Sequence, residues 1–297
     1  MNEKRKPRVL VLGATGMLGS TIFRGLNADQ RYKTFGTIRN ESDGHYFDPS
    51  IRKNLIPNIG LDADGGILAA FSEARPDVVI NCVGIIKQLN KSRNHLESLS
   101  VNSIMPHRIA KYCDLVGARL VHFSTDCVFS GKDGHYREGD FPDAYDLYGR
   151  SKLLGEVDYG NAITLRTSII GHELASSRSL VDWFLSQRIE TKGFTRAVFS
   201  GLPTVEISRI LRDIVIPNVE LKGLYHLSVD PISKYELLTL VARVYGVEIT
   251  IVPDEEVVID RSLNSDRFRN AAGYIPKPWQ NLISEMYVDY CKLRIAF

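Results

Sequence analysis

The apolar run Val9-Leu10-Val11-Leu12 passes directly into Gly13-Ala14-Thr15-Gly16-Met17-Leu18-Gly19, and an amphipathic pattern continues to Leu26. A strand, a Gly-x-x-Gly-x-x-Gly turn and a helix in immediate succession leave few choices. The chain must begin with a βα unit that brings its backbone close to a ligand phosphate. Gly13 suits the tight turn, Gly16 lets backbone amides approach the ligand, and Gly19 lets the helix pack close to the strand. The helix start adds unpaired N–H groups and a partial positive charge. Gly13, Thr15, Gly16, Met17, Leu18 and Gly19 are therefore assigned to a dinucleotide cofactor.

Short apolar runs alternate with longer helical patterns through the first half, the signature of a parallel α/β sheet. Expected strands are Arg8–Leu12, Lys33–Ile38, His45–Asp48, Asp77–Cys82, Arg119–Ser124 and Ala162–Leu165. The first, fourth and fifth are continuous apolar runs, as strands covered on both faces require. Expected helices are Met17–Leu26, Gly66–Ala74 and Ser98–Val116, and the polar, glycine-rich Asn54–Gly66 reads as a surface loop. After Arg166 the regularity weakens and proline becomes frequent. Amphipathic helices are expected there at Leu180–Gln187, Thr204–Val215 and Lys234–Val244. The fold class that follows is α/β: a Rossmann-type doubly wound parallel sheet with a smaller C-terminal substrate-binding lobe. Residues 1–166 would form the dinucleotide-binding domain, rejoined by a segment at about 195–222, and most of 167–297 the lobe.

Charged residues make up 24% of the chain and the net charge is +2, too balanced to draw it to nucleic acid or to a membrane surface. No apolar run approaches the ~18 residues of a membrane span. The basic cluster Lys4, Arg5, Lys6 and Arg8 precedes a run too short for a signal-peptide core and reads as a solvated end. Cys82, Cys113, Cys127 and Cys291 are scattered without a CxxC, which suits reduced thiols of a cytoplasmic protein. His45, His107 and His172 lack ligand spacing, so no metal is expected, and His122 reads as a packed strand residue. Leu180, Trp183 and Phe184 form an apolar stripe suited to a core or a dimer seam.

The residue about twenty positions past a glycine loop distinguishes the two nicotinamide dinucleotides. Here it is Arg39, with no acid before Glu41. A guanidinium matches a 2′-phosphate with paired hydrogen bonds, so NADPH is favoured, with NADH as the alternative. Asp48 either accepts from the adenine amino group or caps a helix, since Pro49 follows it. Cys82, Val83 and Gly84, after the fourth strand, are assigned to the cofactor as well.

The chain has 13 tyrosines, and Tyr148 alone has a lysine, Lys152, four residues later. On a helix the two share one face. An ammonium beside a phenol favours phenolate and lowers its pKa toward working pH, where the phenol acts as general acid; the lysine can also hold the nicotinamide ribose. Ser124 and Thr125 end the fifth strand at the edge where doubly wound sheets bind ligands, and Thr125 is favoured as donor to a carbonyl oxygen.

With GATGMLG at 13–19, RPDVVINC at 75–82, FSTDCVFSG at 123–131, YGRSKLLGE at 148–156, LRTSIIG at 165–171 and GLYHL at 223–227, the chain resembles the extended short-chain dehydrogenase/reductases. Within them it is similar to the dTDP-4-dehydrorhamnose reductase group. The resemblance implies NADPH-dependent reduction of the 4-keto group of a nucleotide-linked 6-deoxy sugar, for cell-surface polysaccharide. It implies Thr125, Tyr148 and Lys152 as the catalytic triad, Asp126 and Cys127 facing the sugar, and Asn102 ordering the backbone or water of the substrate site. Cys127 stands where the group usually has tyrosine, Ile169 where it often has tryptophan, and its late RPxNSxL motif survives only as Asp260-Arg261-Ser262-Leu263-Asn264. Arg261 either pairs with a substrate diphosphate or covers surface.

The expected function is thus a nucleotide-sugar 4-ketoreductase, with a homodimer left open. Two alternatives stand beside it. One is an epimerase or dehydratase with retained NAD, against which Arg39 and the lack of an Asp-Glu dyad at Thr125-Asp126-Cys127 argue. The other is a non-catalytic NADP-binding regulatory subunit, which the intact triad disfavours.

Overall fold

The computed structural model describes residues 5–60, 64–85 and 94–295. Its centre is a seven-stranded parallel sheet. Six strands come from the first part of the chain: β1 (Arg8–Leu12), β2 (Lys33–Thr37), β3 (Leu55–Ile56), β4 (Val78–Asn81), β5 (Arg119–Thr125) and β6 (Ala162–Thr167). The seventh, Gly223–His226, arrives much later and pairs with β6. The order across the sheet is β3-β2-β1-β4-β5-β6 and then Gly223–His226. The order in which strands are added reverses between β1 and β4, so the crevice above their carboxyl ends is the switch point where such sheets take ligands.

Alternation within β1 divides the core. Val9 and Val11 face one cluster, with Leu18, Ile22 and Leu26 of α1 (Met17–Asn27) and Ile207, Ile210 and Leu211 from the later helical segment. Leu10 and Leu12 face the other. There they meet Ile67, Ala70 and Phe71 of the helix Asp64–Ala74 and Ile109 and Ala110 of the helix Met105–Val116. All four β1 residues are fully buried. A strand covered twice leaves no polar face, which is why this segment reads as an unbroken apolar run. The doubly wound fold class therefore stands.

Helix Thr204–Ile210 packs on α1. A third cluster, Ile170, Val181, Phe184, Phe199, Leu237, Val241 and Ile283 among others, lies away from the large sheet. Phe184 of the expected stripe is in it, whereas Trp183 is 40% exposed. A small sheet nearby has Ala197–Phe199 at its centre, flanked by Ile232–Ser233 and Ile259–Asp260.

Three sequence expectations fail here for identifiable reasons. His45–Asp48 is not a strand: Glu41–Tyr46 is a 3-10 helix, and Asp48 caps a one-turn helix at Pro49–Arg52. The third strand is instead Leu55–Ile56, inside the segment expected to be loop, where two buried apolar residues pair with Gly36 and Thr37 of β2. Two residues are too few to show a period. Residues 61–63 of that expected loop lie outside the described residues. Finally, Ser98–Val116 is not one α-helix. It runs as His95–Ser98, a π-helical stretch Leu99–Ile104, and Met105–Val116 with Pro106 in its first turn. Proline has no N–H to donate into the preceding turn, and a π-bulge accommodates that loss.

At the amino terminus the basic residues are not all free: Arg5 pairs with Asp77, and Arg8 donates to the carbonyls of Ala74 and Glu73. Lys4 lies outside the described residues. No helix among the described residues is long and apolar enough to cross a membrane.

Candidate active site

The glycine loop sits at the end of β1, tied to β2 by Gly13 N–H donating to Thr37 Oγ1 at 3.0 Å and Ala14 N–H to the Thr37 carbonyl at 2.9 Å. Gly19 packs against the loop it follows, and a Cβ there would come within 2.1 Å of the Gly13 carbonyl oxygen. Only glycine permits that approach. Helix α1 starts at Gly16 with no side-chain cap and no acidic residue in its first turn. Gly16 is exposed, Thr15 and Met17 are half-buried, and Leu18 turns its side chain into the core. Backbone N–H groups with a helix's positive end behind them and no carboxylate competing fit an anionic diphosphate.

Arg39 follows β2, exposed, with no hydrogen bond or ion pair among the described residues. Its guanidinium is free to meet a phosphate beyond the strand end. Asp48 caps the Pro49–Arg52 helix. It is exposed and accepts from Ser50 N–H at 2.8 Å and Ser50 Oγ at 2.6 Å. Of the two roles the sequence left open for it, helix capping is the one observed.

On the other side of the switch point, Asn81 Oδ1 accepts from Val83 N–H at 3.1 Å, which shapes Cys82-Val83-Gly84. The amide of Asn81 also donates to Nδ1 of His122 at 3.2 Å. His122 is fully buried in β5 and burial holds it well below the usual histidine range, so it packs as a neutral ring. A Cβ on Gly84 would lie 3.9 Å from Lys152 Nζ, placing this turn directly beside the lysine. Burial pushes the Cys82 thiol well up, so it carries no charge.

Tyr148 and Lys152 lie on the helix Leu147–Leu154, whose N-cap Asp146 accepts from Gly149 N–H at 2.9 Å. Gly149 is the docking point of this helix. A Cβ there would fall 2.2 Å from the Cys127 carbonyl oxygen, so a larger residue would lift Tyr148 away from Thr125. The buried Ser151 donates to the Tyr148 carbonyl at 2.9 Å and accepts from Asn102 Nδ2 at 3.2 Å. Asn102 also exchanges two hydrogen bonds with the Ile85 backbone, at 2.9 and 3.1 Å. With its amide thus engaged and only 1% exposed, Asn102 is not a substrate contact. It clamps the Tyr148 helix to the turn after β4.

Lys152 is buried and donates to the Phe123 carbonyl at 2.7 Å. Burial pulls its pKa down to about 8, against the opposing pull of Glu156 and Cys82. Tyr148 departs from expectation. Burial raises its pKa well above the usual phenol value, Cys127 adds to that, and Thr125 pulls the other way. Burial dominates here, and the Lys152 ammonium donates to the Phe123 carbonyl. The phenol is therefore held protonated, the state a proton donor needs.

Thr125 is buried beside this pair, its hydroxyl donating to Asp126 Oδ1 at 3.1 Å and accepting from Cys127 N–H at 3.1 Å. A ligand oxygen would compete with Asp126 for that proton. Ser124 is committed elsewhere: it donates to Glu156 Oε1 at 2.6 Å. Glu156 in turn holds Arg166 through two contacts of 2.7 Å, and Arg166 donates to Nε2 of His226 at 3.3 Å. This buried network, unforeseen from the sequence, underlies the floor of the site. Burial pushes the Cys127 thiol up to about 12, with Asp126 adding to it and Arg261 opposing. Arg261 donates from Nε to the Phe129 carbonyl at 2.9 Å, so the late DRSLN segment does reach the Thr125–Cys127 turn.

Sequence reasoning missed one more residue. Lys234, first in the helix Lys234–Tyr245, acts electrostatically with Asp126 and Cys127 across the site. A serine cap at Ser233 marks the helix start, but no spacing links it to Thr125.

Comparison with known proteins bears on the family and the fold. The spore coat polysaccharide biosynthesis protein SpsK of Bacillus subtilis is 28% identical over 293 residues, covering 94% of this chain and 96% of that protein. Methionine adenosyltransferase 2 subunit beta of Danio rerio is 25% identical over 252 residues, 80% of this chain and 74% of that protein. Among solved structures, dTDP-4-dehydrorhamnose reductase from Bacillus anthracis in complex with NADP has the same fold, with a TM-score of 0.78 at 20% identity, covering 96% of this chain and 100% of that one. The sequence profile of the RmlD substrate binding domain family matches residues 7–291, and the chain belongs to that family.

Proposed function

We propose that the protein is an NADPH-dependent reductase of the 4-keto group of a nucleotide-linked 6-deoxy sugar, similar to dTDP-4-dehydrorhamnose reductase and serving polysaccharide biosynthesis. The observation that carries this reading is the meeting of Thr125, Tyr148 and Lys152 at the carboxyl end of β5, with Gly84 and the glycine loop beside them. In this reading Gly13 to Gly19 and the α1 start hold the diphosphate, Arg39 the 2′-phosphate, and Lys152 the ribose next to the nicotinamide. When bound, the cofactor supplies a hydride to the carbonyl carbon. Tyr148 donates its proton to the carbonyl oxygen as charge develops there, and Thr125 exchanges its bond to Asp126 for one to that oxygen. The product is the C4 alcohol, and solvent returns the proton to Tyr148.

The test is NADPH oxidation against a panel of dTDP-, UDP- and GDP-linked 4-keto-6-deoxy sugars, with NADH in parallel. Turnover of one member with NADPH is the expected result, and silence across the panel overturns the reading. Arg39→Ala should raise the KM for NADPH by about tenfold or more, the worth of a charge-assisted hydrogen bond, and leave that for NADH nearly unchanged. Equal effects on both cofactors would remove Arg39 from the 2′-phosphate.

Rate at saturating substrate should fall as pH rises through about 8, because Lys152 then loses the proton it needs to hold the ribose. Below that pH the ammonium is present and kcat should be flat on the alkaline side of any acidic limb. A kcat that keeps rising to pH 10 would show that the charge on Lys152 is not used.

A second reading is favoured by one finding: a relative covering most of the chain is named as a subunit of another enzyme. A non-catalytic subunit would bind NADPH and remain silent on every sugar, so the same panel separates the two.

A further inference from the structure

Lys234 belongs to none of the motifs above, yet the small sheet delivers it to the site. Ile232–Ser233 pairs antiparallel with Ala197–Phe199, and Ile259–Asp260 pairs parallel on the other side of that strand. Lys234 follows the first flanking strand and Arg261 the second, so one strand carries a cation at each side, both close to the Asp126–Cys127 turn. The two cations differ in their commitments. Arg261 holds the Phe129 carbonyl. Lys234 is half-buried with its Nζ 4.1 Å from the centroid of the Phe199 ring, and it makes no hydrogen bond or ion pair among the described residues. Across from it, Asp126 is only 7% exposed, with one oxygen accepting from Thr125.

A half-buried ammonium and a buried carboxylate thus act on each other through space at this end of the site. Leaving an ammonium desolvated and unpaired is costly, and burial accordingly brings the Lys234 pKa down to about 8 despite the favourable pull of Asp126 and Cys127. A ligand group between the two must accept from one and donate to the other. A hydroxyl does both. A phosphate or carboxylate would satisfy Lys234 and be repelled by Asp126.

We infer that Lys234 is a specificity-determining residue of the substrate pocket, donating to a sugar-ring hydroxyl whose own hydrogen goes to Asp126. This rests on the nucleotide-sugar reading above. It also gives the lobe a role beyond covering the crevice: it contributes one half of a hydroxyl clamp whose other half stands beside the proton donor.

The experiment is calorimetric binding of dTDP-rhamnose and of dTDP, as separate probes, to the wild-type protein and to Lys234→Met, with NADP present. Methionine keeps the length and apolar stem of lysine, and a melting curve confirms that the variant is folded. The expected result is about tenfold or greater loss of affinity for dTDP-rhamnose with dTDP unchanged, because only the sugar carries the hydroxyl. Wild-type binding of dTDP-rhamnose should also weaken as pH rises through about 8, whereas Lys234→Arg, which stays charged, should not follow that decline. Equal loss for both probes would place Lys234 on the diphosphate and overturn the inference, as would no loss for either. Wild-type protein that binds neither probe, nor the UDP and GDP counterparts, would instead overturn the nucleotide-sugar reading on which it rests.

Discussion

Replacing Tyr148 by phenylalanine is expected to lower kcat by about 10²- to 10⁴-fold, the usual worth of a positioned general acid, while NADPH binding and the melting temperature stay close to wild type. The phenol oxygen is the only atom lost. Its ring remains on the Leu147–Leu154 helix, whose seating depends on Gly149, Ser151 and Asn102 and not on the hydroxyl. No neighbour can replace the lost proton. The Thr125 hydroxyl is a far weaker acid and its hydrogen is engaged by Asp126. The Cys127 thiol is pushed up to about 12, and Lys152 is turned to the Phe123 carbonyl. Stopped-flow NADPH oxidation under single-turnover conditions, beside equilibrium NADPH titration, would measure both quantities. A variant that keeps more than about a tenth of wild-type kcat would show that the proton comes from elsewhere, since that loss is well below the range for a general acid.

Arg166→Met should cost about 3–5 kcal/mol of stability, the typical penalty for stranding one member of a buried ion pair. Glu156 and Arg166 are both nearly excluded from solvent, joined by two contacts of 2.7 Å, and roofed by the Phe129 ring 5.3 Å from the guanidinium carbon. Without Arg166, the Glu156 carboxylate keeps only the Ser124 hydroxyl as a hydrogen-bond partner among the described residues. A drop in Tm on the order of 10 °C follows from that cost for a chain of this size. The double variant Glu156→Leu/Arg166→Met should recover a good part of the loss, because it removes the stranded charge as well. Thermal melts of the three proteins give the comparison. If Arg166→Met melts within 2 °C of wild type, the network is not a structural support of the site.

The two variants probe different sections of one site, and they differ in how visible they were beforehand. The glycine loop and the Tyr148–Lys152 pair are local patterns. Each is set by backbone geometry within a few residues, so spacing alone identifies them. Arg39 is similar, since it lies one strand beyond the loop. Other residues kept two readings open until their partners were seen. Asp48 caps the Pro49–Arg52 helix through Ser50, one of the two roles its sequence context allowed. Asn102 could have faced the sugar, but the π-helical stretch before Pro106 turns its amide toward Ile85 and Ser151.

The sequence by itself determined the doubly wound sheet, the glycine turn at its switch point and the pairing of Tyr148 with Lys152, the proposed proton donor and its neighbour, because strand periodicity, glycine placement and an i to i+4 pair are short-range properties of a chain. Only the tertiary structure decided the protonation of that donor and what surrounds it. The Tyr148 pKa is set by burial and by Cys127, while Lys152 is drawn to the Phe123 carbonyl. Lys234 reaches Asp126 only because two short strands flank Ala197–Phe199. Burial and charge act through space, between segments that spacing along the chain does not relate.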